Sequence, residues 1–353
     1  MKTETLIIGG GLAGLSLASQ LAEQQQDFLL VEARDRLGGR ILTEHIGGGT
    51  FDLGPAWFWP GQPRMAGLVD RLGLTRFDQS YQGDLLFETE QGHVQRGQGS
   101  ASMQGAYRLG GGFGALIAEL AGAIPEGRLL RSTPITALER HPKGITAIGE
   151  TGQTILARRV VLALPLRVAN QIRFTPALPA QVHKAMENVA TWMAGQAKVV
   201  ALYERPFWTE AGLSGDAMSR HGPMVEIHDA SPVQDGPYAL FGFIGVPPRY
   251  RQDENELRQH IQAQFVRLFG PDAADPVELL IKDWAYDPLT ATLADQEPLQ
   301  SHPEYGMPNS LSDIWQGDLI FSGTEVAPQF GGYLEGALEA AENALTSLKR
   351  ATA

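Results

Sequence analysis

The feature that most constrains this chain is a glycine turn, Gly9-x-Gly11-x-x-Gly14, set between two different hydrophobic periods. Residues 5–8 form a short apolar run that reads as a buried strand. Residues 12–24 then place Leu12, Leu15, Ala18, Leu21 and Ala22 on one face of a helix. A second apolar run at residues 28–31 closes a βαβ unit in about thirty residues. Glycine at these three positions permits the tight turn, a close approach of backbone amides to a pyrophosphate, and packing of helix on strand. The helix N-terminus offers free N–H groups and partial positive charge to the phosphates. Glu32 ends the second strand, twenty-one residues beyond Gly11, where a carboxylate can accept ribose hydroxyls. The unit therefore predicts a dinucleotide site.

Residues 32–40 read Glu-Ala-Arg-Asp-Arg-Leu-Gly-Gly-Arg and narrow the choice to FAD. Gly38 and Gly39 allow a second close backbone approach, and Arg34 and Arg40 can supply charge-assisted bonds to a diphosphate. The chain holds 41 glycines, so backbone must turn tightly or approach a ligand at many places. Three groups account for much of that excess in this reading: Gly9–Gly14, Gly38–Gly39 and Gly331–Gly336, all taken to line one cofactor.

At these residues the sequence resembles the FAD-dependent amine oxidase family, which includes monoamine oxidases, polyamine oxidases and L-amino-acid oxidases. The run VEARDRLGGR is similar to the second FAD motif of that family. The segment Phe51-Asp-Leu-Gly-Pro-Ala-Trp57 is similar to its loop whose backbone meets the flavin, and Phe321-Ser-Gly-Thr-Glu-Val-Ala327 with Gly331-Gly-Tyr-Leu-Glu-Gly-Ala337 resembles its closing motif. The matches span most of the chain in the correct order. The resemblance implies that Gly9, Gly11, Leu12, Ala13, Gly14, Glu32, Ala33, Arg34, Gly39 and Arg40 hold the nucleotide end of FAD. It places Gly54, Pro55, Ala56, Trp57 and Trp284 by the flavin, and Ile135 on the adenine. Gly323 and Glu325 approach the ribityl–phosphate region. Gly332, Tyr333 and Leu334 begin a last helix beneath the ring, where a helix N-terminus stabilises charge on reduced flavin.

Two side chains bear on the implied reaction. Lys198 aligns with the family lysine that holds a water against flavin N5, and it lies in an otherwise apolar strand beside Ala197, Val199 and Val200. Tyr333 resembles one wall of the aromatic cage that orients a substrate amine. The sequence departs from the family at the second wall: counted from Trp284, that position falls at Ala294, with Leu293 where some relatives carry a flavin-linking cysteine. Trp57, Phe58 and Trp59 offer aromatic surface from another side, or core at a domain interface. A second departure is length, because only a short segment separates the Trp57 loop from the turn at residues 110–114.

The implied architecture is α/β: a Rossmann-like FAD-binding domain of the glutathione-reductase type, with a second mixed-sheet α+β substrate domain as in monoamine oxidases. The expected division gives residues 1–78, 113–187 and 288–353 to the FAD domain, and 79–112 and 188–287 to the substrate domain. Helices are expected at 63–72, 113–121, 254–269 and 332–348. A hairpin is expected at 83–94, and strands at 135–138, 145–148, 154–156, 160–164, 196–203, 238–244 and 319–321.

Composition excludes several alternatives. With no cysteine, thiol nucleophiles, thiolate metal sites and a thioether-linked flavin are all ruled out, and noncovalent FAD is expected. No metal site is expected. A net charge of −12 argues against nucleic acid as partner. No apolar run approaches the ~20 residues of a membrane span, and Glu4 with four glycines breaks any imitation of a signal peptide. A cytoplasmic location without a membrane anchor is expected, with a homodimer left open. The function implied is oxidation of an amine C–N bond. Hydride passes to flavin N5, with dioxygen as acceptor, giving imine or aldehyde and hydrogen peroxide. The substrate would be a small amine or an amino-acid-like molecule. Two rivals remain at this stage: a renalase-like NAD(P)H oxidase or desaturase-type flavoprotein, and a flavin-bearing binding or assembly protein without turnover.

Overall fold

The N-terminal strand Lys2–Ile8 pairs in parallel with Phe28–Val31 on one side and Thr154–Leu162 on the other. A computed structural model describes residues 1–233, 236–297, 299 and 301–350. Phe28–Val31 is buried at every position, as expected for a parallel strand covered on both faces. Leu129–Leu130 adds in parallel beyond Phe28–Val31, and Leu319–Phe321 adds in parallel to the far end of Thr154–Leu162. The near end of Thr154–Leu162 pairs antiparallel with Gly144–Gly149, which leads through Ile135–His141 to Arg173–Thr175.

One strand thus serves both the parallel core and the meander. The expected break between residues 156 and 160 does not occur. Arg158 and Arg159 lie in the gap between the two expected strands, and Arg159 is buried and donates from Nη1 to Leu348 O at 2.7 Å. A charged residue satisfied by a helix C-terminus is compatible with a strand interior. Helices Leu12–Glu23, Gly112–Gly122 and Leu334–Arg350 cover one face of this sheet through Leu15, Phe113, Leu338 and Ala341. The last helix begins at Leu334, two residues later than expected, because Gly332 takes a left-handed φ of 84°.

A second sheet runs in the order Glu278–Asp283, Ala197–Tyr203, Tyr238–Ile244, Met224–Asp229, Leu213–Ser219, Asp84–Glu88 and Val94–Gly97. It is antiparallel except where Leu213–Ser219 lies parallel to Asp84–Glu88, so it is mixed. Helix Glu254–Phe269 packs on one face with Leu257, Ile261, Phe265 and Leu268. Its N-cap Asp253 accepts from Glu256 N at 3.1 Å. Alternation along Ala197–Tyr203 decides which face each residue serves: Ala197, Val199 and Ala201 meet the helix, whereas Val200 and Leu202 join Phe51, Trp57 and Phe241 on the other side.

Three strands of this sheet escaped the sequence reading: Leu213–Ser219, Met224–Asp229 and Glu278–Asp283. In the first two the hydrophobic signal is poor because Gly215, Asp216, His228 and Asp229 occupy buried positions. Among the described residues, no helix is long and apolar enough to cross a membrane.

Candidate active site

A cavity of about 760 Å³ is lined by residues of both sheets. At one end the helix Leu12–Glu23 starts with no side chain capping its N-terminus, and Gly11, Leu12 and Ala13 line the space there. Those first-turn N–H groups have no intrahelical acceptor, so they suit a phosphate. Glu32 lies beside them, with Oε2 accepting from Gly10 N at 2.7 Å and Oε1 from Arg34 N at 2.9 Å. Gly9, Ala33, Gly39 and Ile135 line the same end. Gly14 does not: a Cβ there would stand 2.0 Å from Gly9 O, so this glycine lets the helix pack on the turn.

Arg34 and Arg40 both border the cavity, and each guanidinium has a carboxylate partner. Arg34 bonds Asp287 and also reaches Thr290 at 3.3 Å. Arg40 Nη1 donates to Glu325 Oε1 at 2.7 Å. Glu325 is fully buried behind Gly323, and its Oε2 has no protein partner among the described residues. A buried carboxylate oxygen without a donor is costly unless a ligand supplies one. Glu325 itself does not border the cavity, whereas the uncapped helix and the anchored Glu32 do, and these match what the diphosphate and hydroxyls of FAD require.

The other end is aromatic. Gly54, Pro55, Ala56, Trp57, Trp59, Trp284, Gly332, Tyr333 and Leu334 line it, as do Trp192 and Phe243, which the sequence did not single out. Phe58 instead lies in the core against Phe113 and Tyr107. Trp57 packs edge-on to Phe241 at 5.1 Å, and its Nε1 donates to Gln79 at 2.7 Å. Trp284 Nε1 donates to Leu53 O at 2.9 Å, which ties the second sheet to the glycine loop.

Tyr333 is 37% exposed and stacks on His302 at 4.9 Å with an interplanar angle of 12°. Trp192 and Tyr305 enclose the other sides of His302. Ala294 lies exposed on the turn Leu293–Gln296 and does not border the cavity, so no wall is missing at that position. The closing glycines also divide their work. A Cβ on Gly331 would meet the Tyr305 ring at 2.2 Å, and one on Gly336 would meet Phe330 O at 2.1 Å; of these three only Gly332 borders the cavity.

Lys198 is buried in an interior strand, paired with Phe243 on one side and Lys282 on the other. Its Nζ donates to Gly54 O and lies 5.6 Å from the Phe243 ring centroid. Burial pushes its pKa down to about 8, against the opposing pull of Asp52. Asp52 is itself buried, and burial raises its carboxyl to about 6 although Thr43 and Phe113 N donate to it. Between its unfolded value of 3.8 and about 6, the folded protein holds a proton that the unfolded chain has lost. Stability contributed below pH 3.8 should therefore fade as pH rises through about 6, by about 3 kcal/mol. Asp52→Asn is expected to flatten this slope in urea melts near pH 4 and pH 7, and an unchanged slope would exclude Asp52 as its source.

The second carboxylate of interest is Glu226. Register pairs Lys198 with Phe243 and Phe243 with Glu226, so the three side chains form a row on one face of the sheet. Two strand spacings put Glu226 about 10 Å from Lys198 along that row. Glu226 borders the cavity, accepts from Ser102 Oγ, and bonds His228 Nε2 at 2.9 Å. No spacing rule in the sequence links residues 198, 226 and 243. Only strand register brings them together.

Residues 81–344 match the family described as flavin containing amine oxidoreductase, and residues 7–72 match an NAD(P)-binding Rossmann-like domain. The chain is 25% identical to a Mycobacterium tuberculosis protein named as the flavin-containing monoamine oxidase AofH, over 97% of this chain and 95% of that one. It is 23% identical to an L-amino acid dehydrogenase of Synechocystis, over 98% of this chain and 94% of that one. With the putrescine oxidase of Kocuria rosea it shares 21% identity over 82% of this chain and 84% of the other. Among solved structures, cyclohexylamine oxidase of Brevibacterium oxydans superposes with a TM-score of 0.84 at 22% identity, covering all of both chains. Putrescine oxidase bound to putrescine does so with a TM-score of 0.83 at 20% identity, again over the full length of both.

Proposed function

The chain belongs to the flavin containing amine oxidoreductase family and is an FAD-dependent amine oxidoreductase, and from that premise we propose that its substrate is a small amine bearing a second cationic group. In this reading dioxygen is the final electron acceptor and hydrogen peroxide is released. The observation that carries the substrate class is Glu226, a carboxylate on the aromatic side of the cavity about 10 Å along the sheet from Lys198. The cations on the cavity wall are Lys198 and the paired Arg34 and Arg40, an arrangement that offers an amino-acid carboxylate no free arginine. An amine is therefore favoured over an amino acid.

The chemistry that bound FAD supplies is two-electron acceptance. Gly11, Leu12, Ala13 and Glu32 would hold its nucleotide end, and Gly323 with Glu325 its middle. Trp57, Phe243 and Tyr333 would pack around the substrate and exclude water, which strengthens every polar contact inside. Lys198 would hold a water in place by donating from Nζ, which stays mostly protonated at pH 7 although burial lowers its pKa to about 8. Glu226 would bind the distal cation and so fix which carbon faces the acceptor. The same reading divides the chain into an FAD domain (1–78, 113–187 and 288–353) and a substrate domain (79–112 and 188–287), and the grouping of strands into two sheets supports that division.

Peroxide release from a panel of monoamines, diamines and amino acids tests the reading. Diamines are expected to give the highest kcat/KM. Flavin bleaching by NADH with no response to any amine would overturn it.

A further inference from the structure

His228 is the one histidine enclosed by two carboxylates among the described residues, and neither the cavity nor the cofactor accounts for it. Its ring is 1% exposed, with Nδ1 2.6 Å from Asp216 Oδ1 and Nε2 2.9 Å from Glu226 Oε1. Trp57 packs edge-on to it at 5.3 Å and Phe243 at 6.4 Å. Register places Asp216 opposite His228 on the neighbouring strand, and Asp216 does not border the cavity. We propose that His228 is a positioning residue whose imidazolium, braced by Asp216, aims the Glu226 carboxylate at the substrate's second cation.

The chemistry follows from what an imidazole can donate. Only the protonated ring has two N–H groups, so only that form serves Asp216 and Glu226 at once. Burial alone would disfavour the cation, yet the two carboxylates outweigh it and hold the His228 pKa above its usual value. Asp216 is buried at 5% exposure, whereas the Glu226 side chain is 22% exposed and needs a fixed donor to keep one pose. Without Nε2–H, Glu226 would face a ring lone pair and keep only Ser102. The triad carries a net charge of −1, enough to favour an ammonium group while leaving one carboxylate free to pair with it.

The proposal rests on the reading of Glu226 as the distal anchor, and the test separates the two. The measurement is the ratio of kcat/KM for putrescine to that for butylamine, which differ only in the second nitrogen, with diaminohexane and hexylamine as a longer pair. Flavin absorbance and a thermal melt check that each variant is folded and loaded. His228→Asn places its amide where Nδ1 was and keeps the Asp216 bond, whereas His228→Gln reaches the Nε2 position and keeps the Glu226 bond. Loss of a charge-assisted bond to the anchor should lower the ratio about ten-fold in His228→Asn, through KM rather than kcat. His228→Gln should restore most of it.

Asp216→Asn should lower the ratio about three-fold, less than His228→Asn does, although Asp216 touches no substrate. The amide can donate to Nδ1, so the remaining ring hydrogen sits on Nε2 facing the Glu226 carboxylate, but as a neutral donor that holds the anchor less firmly than the imidazolium. That variant carries the test if His228→Asn does not fold. Equal ratios in the Asn and Gln variants, alongside a reduced ratio in Glu226→Gln, would overturn the role of His228 alone. An unchanged ratio in Glu226→Gln would overturn the anchor itself, and the positioning role with it.

Discussion

Lys198→Met is expected to lower amine turnover about a hundred-fold while FAD stays bound. Methionine nearly matches lysine in length and sits in the same apolar surroundings of Val200, Phe241 and Phe243, so packing is retained. What is lost is the donor that Lys198 presents to the cavity, now bonded to Gly54 O. A group that holds a water must donate to it, and a thioether cannot. Stopped-flow traces should show slowed reduction by amine, slowed reoxidation, or both. Wild-type rates in both half-reactions would remove Lys198 from the mechanism.

The same substitution should stabilise the protein. The folded-state pKa of Lys198 is lowered from 10.5 to about 8, so at neutral pH folding must bury a charge the unfolded chain keeps solvated. The penalty applies in full below about pH 8 and fades as pH rises towards 10.5, because there the unfolded chain alone remains protonated. It is worth about 3 kcal/mol. Lys198→Met should therefore melt higher than wild type at pH 7, with the gap closing in alkali. Greater stability with lower activity is the pattern of a group retained for function rather than for folding.

Glu32→Ala is expected to weaken FAD binding about a hundred-fold and to yield protein that loses its yellow colour on purification. The carboxylate has two structural duties before any ribose is bound. It accepts Gly10 N and Arg34 N, and so locks the glycine turn to the end of the second strand. Alanine leaves both amides without that acceptor, at about 1–3 kcal/mol each if water cannot replace it. Fluorescence titration of FAD into apoprotein measures the loss; full flavin occupancy after dialysis would contradict it. Glu32→Gln keeps an acceptor for one amide, so an intermediate affinity is expected.

The nucleotide end of the cavity was legible because its parts are close in sequence. Turn, helix start and acidic residue fall within 9–32, and each is selected by a local backbone requirement that leaves a residue-type signature. Not every glycine taken to line the cofactor does so. Gly14, Gly331 and Gly336 make room for protein atoms, not for ligand, and a Cβ clash reads the same in sequence whichever atom it would strike. The strand Met224–Asp229 was missed for the opposite reason. Its buried polar residues are satisfied by partners far along the chain, so it carries no alternation to read.

By itself the sequence determined the class of cofactor, the βαβ unit that receives it, and that a chain without cysteine holds it by no thioether link. These depend on residue type at fixed local spacing, which sequence states directly. Only the tertiary structure decided what surrounds the substrate. It put Lys198, Phe243 and Glu226 in one row, set His228 between two carboxylates, and moved Ala294 out of the wall. Strand register is a pairing between distant segments, and a slip of one residue would turn every side chain in that row to the opposite face.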